Sequence, residues 1–273
     1  MEQPLHILRR NWRELSRQSG ALAVLTDGQL AELARLTDAA SAAQRFRAVC
    51  AEPLASASFA RLCRLMLAGE TDAAPYFPES VSTEPPPNAR TAYLRNAYAD
   101  RAFAAFSQKI DRLAAQYASS FSAACEEVYY DRCSYCILPL QSTEDGLLTS
   151  FTRMIAKYDL KIALVTDVPM QDGDATMRYA LLKRGMETRI PETGYLQATF
   201  VLPREIPCGA FLAACEACGA SLDRVTTVPL HYTSDLASLT VCFRVDRSSA
   251  APLLLFLRET LESYTPDGLF APV

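Results

Sequence analysis

No uninterrupted apolar stretch of about 18 residues occurs in this 273-residue chain, so no transmembrane helix is expected. Histidine is scarce: His6 and His231 are the only two, and they fall in different segments without a matched serine or cysteine. A Ser/His/Asp arrangement, a phosphate loop and a His-Glu-x-x-His pair are all missing, which argues against metal-dependent hydrolysis and nucleotide binding. No metal and no cofactor is expected. Lysine is limited to Lys109, Lys157, Lys161 and Lys183, and arginine carries most of the basic charge. A net charge of −4 argues against nucleic acid and anionic membrane surfaces as partners. The opening Met-Glu-Gln-Pro-Leu-His lacks the basic start and apolar core of a secretory signal, so cytoplasmic residence is the expectation.

Half of the residues are hydrophobic and 21% are charged, a balance that suits a globular chain with substantial cores. At this length two or three domains fit. The nine cysteines are an odd number, spread through regular segments rather than packed into a short loop-rich scaffold, so reduced thiols are expected. Cys133/Cys136 and Cys215/Cys218 have metal-like spacing but stand about 80 residues apart in different predicted domains. On a helix, Cys215 and Cys218 share a face, where buried thiols pack as small hydrophobes.

Three segments emerge. Residues 1–70 read as helical: Leu5, Leu8, Trp12 and Leu15 recur at helical spacing, as do Leu30, Leu33, Ala34 and Leu36, and a further helix covers 57–67. Arg9, Arg10, Arg13 and Arg17 make the first helix basic, either as a solvated face or as an anion or partner surface. Residues 71–89 form a proline-rich linker containing Pro85, Pro86 and Pro87.

Over 90–190, strands at 91–94, 112–117, 134–138 and 160–166 alternate with helices at 100–106, 121–129 and 144–157, the middle helix capped by Ser119 or Ser120. That alternation predicts an α/β lobe with a mainly parallel sheet. Over 191–273 the order is strand 195–202, helix 209–218 ended by Gly219, strands 222–228 and 239–245, helix 252–261, and a strand near Leu269. This βαββα order is ferredoxin-like. The whole is thus expected to be α/β and α+β.

The apolar run 134–138 closes at Pro139 and opens onto Gln141, Ser142, Thr143 and Gly146. Small hydroxyl and amide groups at the carboxyl end of a buried strand are where open α/β sheets take polar ligands. The segment resembles the Pro-Ile-Glu-Asn-Ser-x-x-Gly-x-Val pattern of prephenate dehydratases, which make phenylpyruvate from prephenate. Ala92-Tyr93-Leu94 is similar to that family's opening strand, and Arg178-Tyr179 to the end of its Thr-Arg-Phe motif. Gly209-Ala210-Phe211 resembles its Gly-Ala-Leu signature, and Thr226-Thr227-Val228-Pro229 stands where it has Glu-Ser-Arg-Pro. The resemblance implies a periplasmic-binding-protein-like lobe followed by an ACT domain that dimerises and binds phenylalanine. It also implies that residues 1–70 occupy the place of a chorismate mutase domain, whose polar positions they do not match.

The departures are as informative. Arg95-Asn96-Ala97-Tyr98 replaces a glycine-bearing loop, Gln141 and Ser142 replace Glu and Asn, and Met177 stands in place of the catalytic Thr. Thr176 is one residue away, on the opposite strand face unless a β-bulge between Thr176 and Arg178 turns it. The family's second lobe, inserted after the strand matching 160–166, shrinks here to the nine residues 167–175, with Asp172-Gly173 as a hairpin turn.

Gln141, Ser142, Thr143 and Arg178 therefore form the expected ligand site, with Thr143 or Thr176 as proton donor if catalysis survives. Arg178 can pair both oxygens of a carboxylate. Equally, Arg178 can bond acids of its own fold and Thr143 can cap the following helix. Gly209, Ala210, Phe211, Thr226 and Thr227 form the expected effector site of the ACT-like domain.

The leading expectation is a dehydratase-like protein, non-catalytic or weakly active, binding an aromatic amino acid or related carboxylate in a regulatory role as a homodimer through the ACT-like domain. A divergent prephenate dehydratase is the second reading. A structural protein acting through its N-terminal helices is the third.

Overall fold

The computed structural model describes residues 53–78, 81, 89–170, 175–202, 206–229 and 237–273, with Gly28, Ala31 and Arg35 besides. The helix expected over 5–15 with its arginines, most of the one over 30–36, the prolines 85–87, Asp172-Gly173 and both histidines lie outside the described residues.

In chain order the first elements are α1 (Pro53–Leu67), a 3-10 turn (Ala74–Tyr76), β1 (Arg90–Leu94), α2 (Ala97–Ser107), β2 (Ala114–Ala118), α3 (Phe121–Tyr129), β3 (Tyr135–Ser142), β4 (Gly146–Leu147) and α4 (Thr149–Lys157). There follow β5 (Leu160–Pro169), β6 (Thr176–Arg184), β7 (Thr193–Val201), α5 (Cys208–Ala217), β8 (Ser221–Pro229), β9 (Ala237–Asp246), α6 (Ala250–Thr260) and β10 (Tyr264–Pro272). The described residues divide into two compact units: those within 78–198 join 265–273, and those within 1–77 join 199–264.

The unit built on 78–198 is α/β as expected, but its sheet is mixed rather than mainly parallel. Its strands run in the order β2-β1-β3-β6-β5-β10, with the opening residues of β7 beside β10 and β4 on β3. β1 is parallel to β2 and β3, β6 is antiparallel to β3 and β5, and β10 is parallel to β5. Cys136, Ile137, Leu138 and Leu140 of β3 are all buried, as a strand covered on both faces requires. Helix α2 covers one face: Ala99, Ala102 and Phe106 pack on Tyr93, Ile137, Val168, Tyr179 and Leu181. On the other face α3 sets Cys125 against Cys136.

Local capping explains where these helices begin. Asn96 accepts hydrogen bonds from the Tyr98 and Ala99 amides at 3.0 and 2.9 Å, and Ser120 accepts one from Ala123 at 3.0 Å. Helix α4 starts later than the predicted 144–157. Ser142 Oγ accepts from the Glu144 and Asp145 amides at 3.1 and 3.4 Å, and Gly146 follows at φ +70°. The bonding matches that of the Asn96 cap, so it is Gly146, in the left-handed region, that stops a helix from continuing here. The chain therefore folds back as β4, pairing Gln141 with Leu147 and Ser142 with Gly146, before α4 begins.

In the other unit, α1 packs on α5 and α6. The helix expected over 57–67 thus joins the C-terminal part of the chain, because its apolar face is needed there. Phe59 meets Phe256 at 6.1 Å between ring centroids, and Phe211 lies 5.7 Å from Phe256 and 5.4 Å from Phe200. Helix α6 is buried on all sides from Ala250 to Leu257, the environment that an all-round apolar helix needs. Each buried Phe or Leu contributes roughly 1.5–3 kcal/mol. Strand β9 pairs antiparallel with β8, and Gly219 at φ +97° ends α5.

Candidate functional site

The carboxyl end of β3 brings together most of the residues singled out in the sequence. Gln141 stands opposite Arg178 on β6, and Arg178 stands opposite Asp167 on β5. Arg178 donates from Nε to Asp167 Oδ1 and from Nη2 to Asp167 Oδ2, both at 2.8 Å. This is the two-pronged geometry that recognises a ligand carboxylate, here satisfied by the chain's own acid. A carboxylate approaching that Nε–Nη2 edge has to displace Asp167.

Thr143 is also engaged. Its Oγ1 accepts from the Thr176 amide at 3.0 Å, and its own amide donates to the Thr176 carbonyl at 3.0 Å. Thr143 and Thr176 therefore meet, through the backbone of one and the hydroxyl of the other. Ser142 is buried, and its hydroxyl holds the turn that follows. Thr143 does not cap a helix, since α4 begins at Thr149.

The β-bulge that would have turned Thr176 onto the face of Met177 does not form. The register runs without interruption from Thr176 to Arg178 against β5 and from Met177 to Arg178 against β3, and the irregularity lies in β3 between Pro139 and Gln141. Thr176 and Arg178 consequently share one face, while Met177 packs with the Tyr93 cluster on the other. The pairing of β5 with β6 extends to Pro169 and Thr176, and the Met170 amide donates to the Ala175 carbonyl at 2.9 Å.

In the second unit, Gly209 is exposed at the start of α5, and a Cβ placed on it would meet nothing within 4 Å. Ala210 is half-buried. Phe211 is buried between Phe200 and Phe256, so its ring belongs to the core. Thr226 pairs with Thr240 across β8 and β9, and Thr227 with Leu239. Thr240 Oγ1 in turn lies 2.9 Å from Thr199 Oγ1.

Burial pushes the thiols of Cys136, Cys215 and Cys218 well above their ordinary range, which makes them poor nucleophiles. Cys136 is further raised by its hydrogen bond with Cys125. Among the described residues, no group of three or more His, Cys, Asp and Glu is arranged to hold a metal ion. None of the described helices is long and apolar enough to cross a membrane.

A second polar group at this end of the sheet was not recognised from the sequence. Arg95 follows β1 and lies over the Tyr117 ring at the end of β2, 4.8 Å from its centroid, with Asp100 close by. Only the parallel register of β1 and β2, which sets Tyr93 beside Tyr117, brings these distant positions together.

Neither a family model nor a curated protein matches the sequence. Solved structures do share its fold. The prephenate dehydratase from Streptococcus mutans superposes with a TM-score of 0.52 at 16% identity, over 68% of this chain and 99% of that one. The prephenate dehydratase from Arthrobacter aurescens, in complex with L-Phe, gives 0.51 at 13% identity, over 67% and 90%. GqqA, described as a novel type of quorum quenching acylase, gives 0.51 at 16% identity, over 67% and 95%. The fold is that of the prephenate dehydratases. An acylase shares it too, so function has to be argued from the site.

Proposed function

We propose that this chain is a prephenate dehydratase-like protein that binds a small carboxylate, foremost an aromatic amino acid, in a regulatory role with little or no turnover. The pairing of Arg178 with Asp167 carries this reading. The arginine best placed for a substrate carboxylate is occupied from within, and the Thr143 hydroxyl is bound to backbone rather than turned toward a reacting group. Met177 cannot deliver a proton. The six residues between Pro169 and Thr176 are too few to build an opposing lobe, and catalysis by orientation and water exclusion needs groups on both sides.

The relative from Arthrobacter aurescens was solved with L-Phe, which supports an aromatic amino acid as ligand class. We extend the proposal to domain limits near residues 70–90 and 190, to cytoplasmic residence, and to a homodimer formed through the C-terminal βαββα part. Pure protein incubated with prephenate should release no phenylpyruvate, while L-phenylalanine or L-tyrosine should raise the melting temperature. Release of phenylpyruvate that disappears in Thr143→Ala or Thr176→Ala would instead make the chain a divergent dehydratase.

A further inference from the structure

The sensing reading leaves open where an amino acid would bind while the Nε–Nη2 edge of Arg178 is held by Asp167. Arg95 offers the contrast. Its side chain is 66% exposed, and its nearest acid oxygen, Asp100 Oδ2, stands 3.8 Å from Nε, beyond hydrogen-bonding distance. Its guanidinium rests on the Tyr117 ring, which is itself 54% exposed. A planar cation backed by an aromatic face keeps its fork of donors oriented without using them up.

The acid beside it is also held in place. Tyr93 donates its hydroxyl to Asp100 Oδ1 at 2.9 Å, and the Tyr93 ring stacks on Phe103 at 5.4 Å and meets Tyr117 edge-on at 5.5 Å. Burial, then the bond to Asp100, keeps that phenol protonated and therefore a donor. Asp100 is fixed in the first turn of α2, which Asn96 caps. The Asp100 side chain remains 42% exposed. An oriented cation, an oriented anion and an open aromatic ring are thus gathered at the carboxyl ends of two parallel strands, the end where such sheets bind ligands.

We propose that Arg95, Asp100 and Tyr117 form a binding site for the zwitterion of an aromatic α-amino acid. Arg95 takes the carboxylate, Asp100 takes the ammonium, and the open part of the Tyr117 ring receives the aryl group. This inference rests on the sensing function proposed above and assigns that function to a site separate from both Arg178 and the start of α5.

Titration calorimetry with three probes tests it: L-phenylalanine, phenylpyruvate, which lacks the ammonium, and phenethylamine, which lacks the carboxylate. The wild-type chain should bind L-phenylalanine more tightly than either of the others. Arg95→Gln should weaken L-phenylalanine and phenylpyruvate by about tenfold or more, the value of a hydrogen bond to a charged group. Asp100→Asn, which retains an acceptor for Tyr93, should weaken L-phenylalanine by a similar factor and leave phenylpyruvate unchanged. Both side chains are exposed enough that the melting temperatures should stay near wild type. L-phenylalanine binding that survives both substitutions within about twofold sinks this site alone, and more so if Gly209→Val abolishes it. Failure of the wild-type chain to bind any of the three probes sinks the sensing function together with the site.

Discussion

Lys161 and Lys183 stand directly opposite each other on β5 and β6, each only 5% exposed. Each ammonium reaches an acid at the surface: Lys161 to Asp159 at 2.8 Å, and Lys183 to Glu187 at 3.2 Å. Like charges on directly opposed strand positions oppose pairing, and exposed acids compensate them only in part. Lys161→Met keeps the aliphatic stem and removes one charge, so it should stabilise the protein by about 1 kcal/mol. Asp159→Asn should do the reverse, since it removes the counter-charge and leaves the lysine buried. Urea midpoints of the two variants check the pair of signs.

Asp167 should compete with carboxylate ligands for Arg178. Because the Asp167 side chain is 48% exposed, Asp167→Asn should cost no more than about 0.5–1 kcal/mol of stability. The same change should raise affinity for phenylpyruvate, and the gain should vanish when Arg178→Gln is added. An unchanged affinity in Asp167→Asn would mean that the Arg178 fork cannot receive a ligand even when released.

Gly268 marks where β10 closes on β5. A methyl there would stand 2.6 Å from the Ile162 carbonyl oxygen and 2.7 Å from Ile162 Cβ, so the strands would have to separate. Gly268→Ala should therefore cost about 1–3 kcal/mol, read from urea denaturation. Gly209→Ala, with open space around its Cβ, should cost nothing comparable.

Alkaline pH should destabilise the protein progressively from the ordinary thiol range upward. Burial raises the thiols of Cys63, Cys136, Cys215 and Cys218 above their usual 9.0, and pushes Tyr179 up to about 12. As pH rises, the unfolded chain loses these protons first and so binds fewer than the folded one. Stability is complete below the unfolded values and declines as pH climbs toward the folded ones. Urea midpoints should fall between about pH 8 and about pH 11, and Cys136→Ala combined with Cys218→Ala should flatten the decline.

Much of the element order could be read from local chemistry. The continuous apolar run at β3, the Ser120 cap of α3 and the Gly219 stop of α5 are short-range signals, and each structure forms where its signal lies. The start of α4 was misread because Ser142, Thr143, Glu144 and Asp145 suit a helix start and a turn equally well. Gly146 settles it by taking a left-handed conformation that turns the chain back to pair with β3. The burial of the Phe211 ring was not legible locally, since it follows from the packing of α1, α5 and α6.

Residue order alone thus settled most of the described strands and helices and several of the glycines and serines that punctuate them, since those preferences act within a few positions of the chain. It did not reveal that Asp167 would fill the fork of Arg178, that Thr143 would close on Thr176, or that Arg95 would come to rest on Tyr117. Those partners lie 11 to 33 residues apart and meet through strand register. A shift of one position along any of these strands would turn each side chain to the opposite face, so the pairing depends on the assembled sheet.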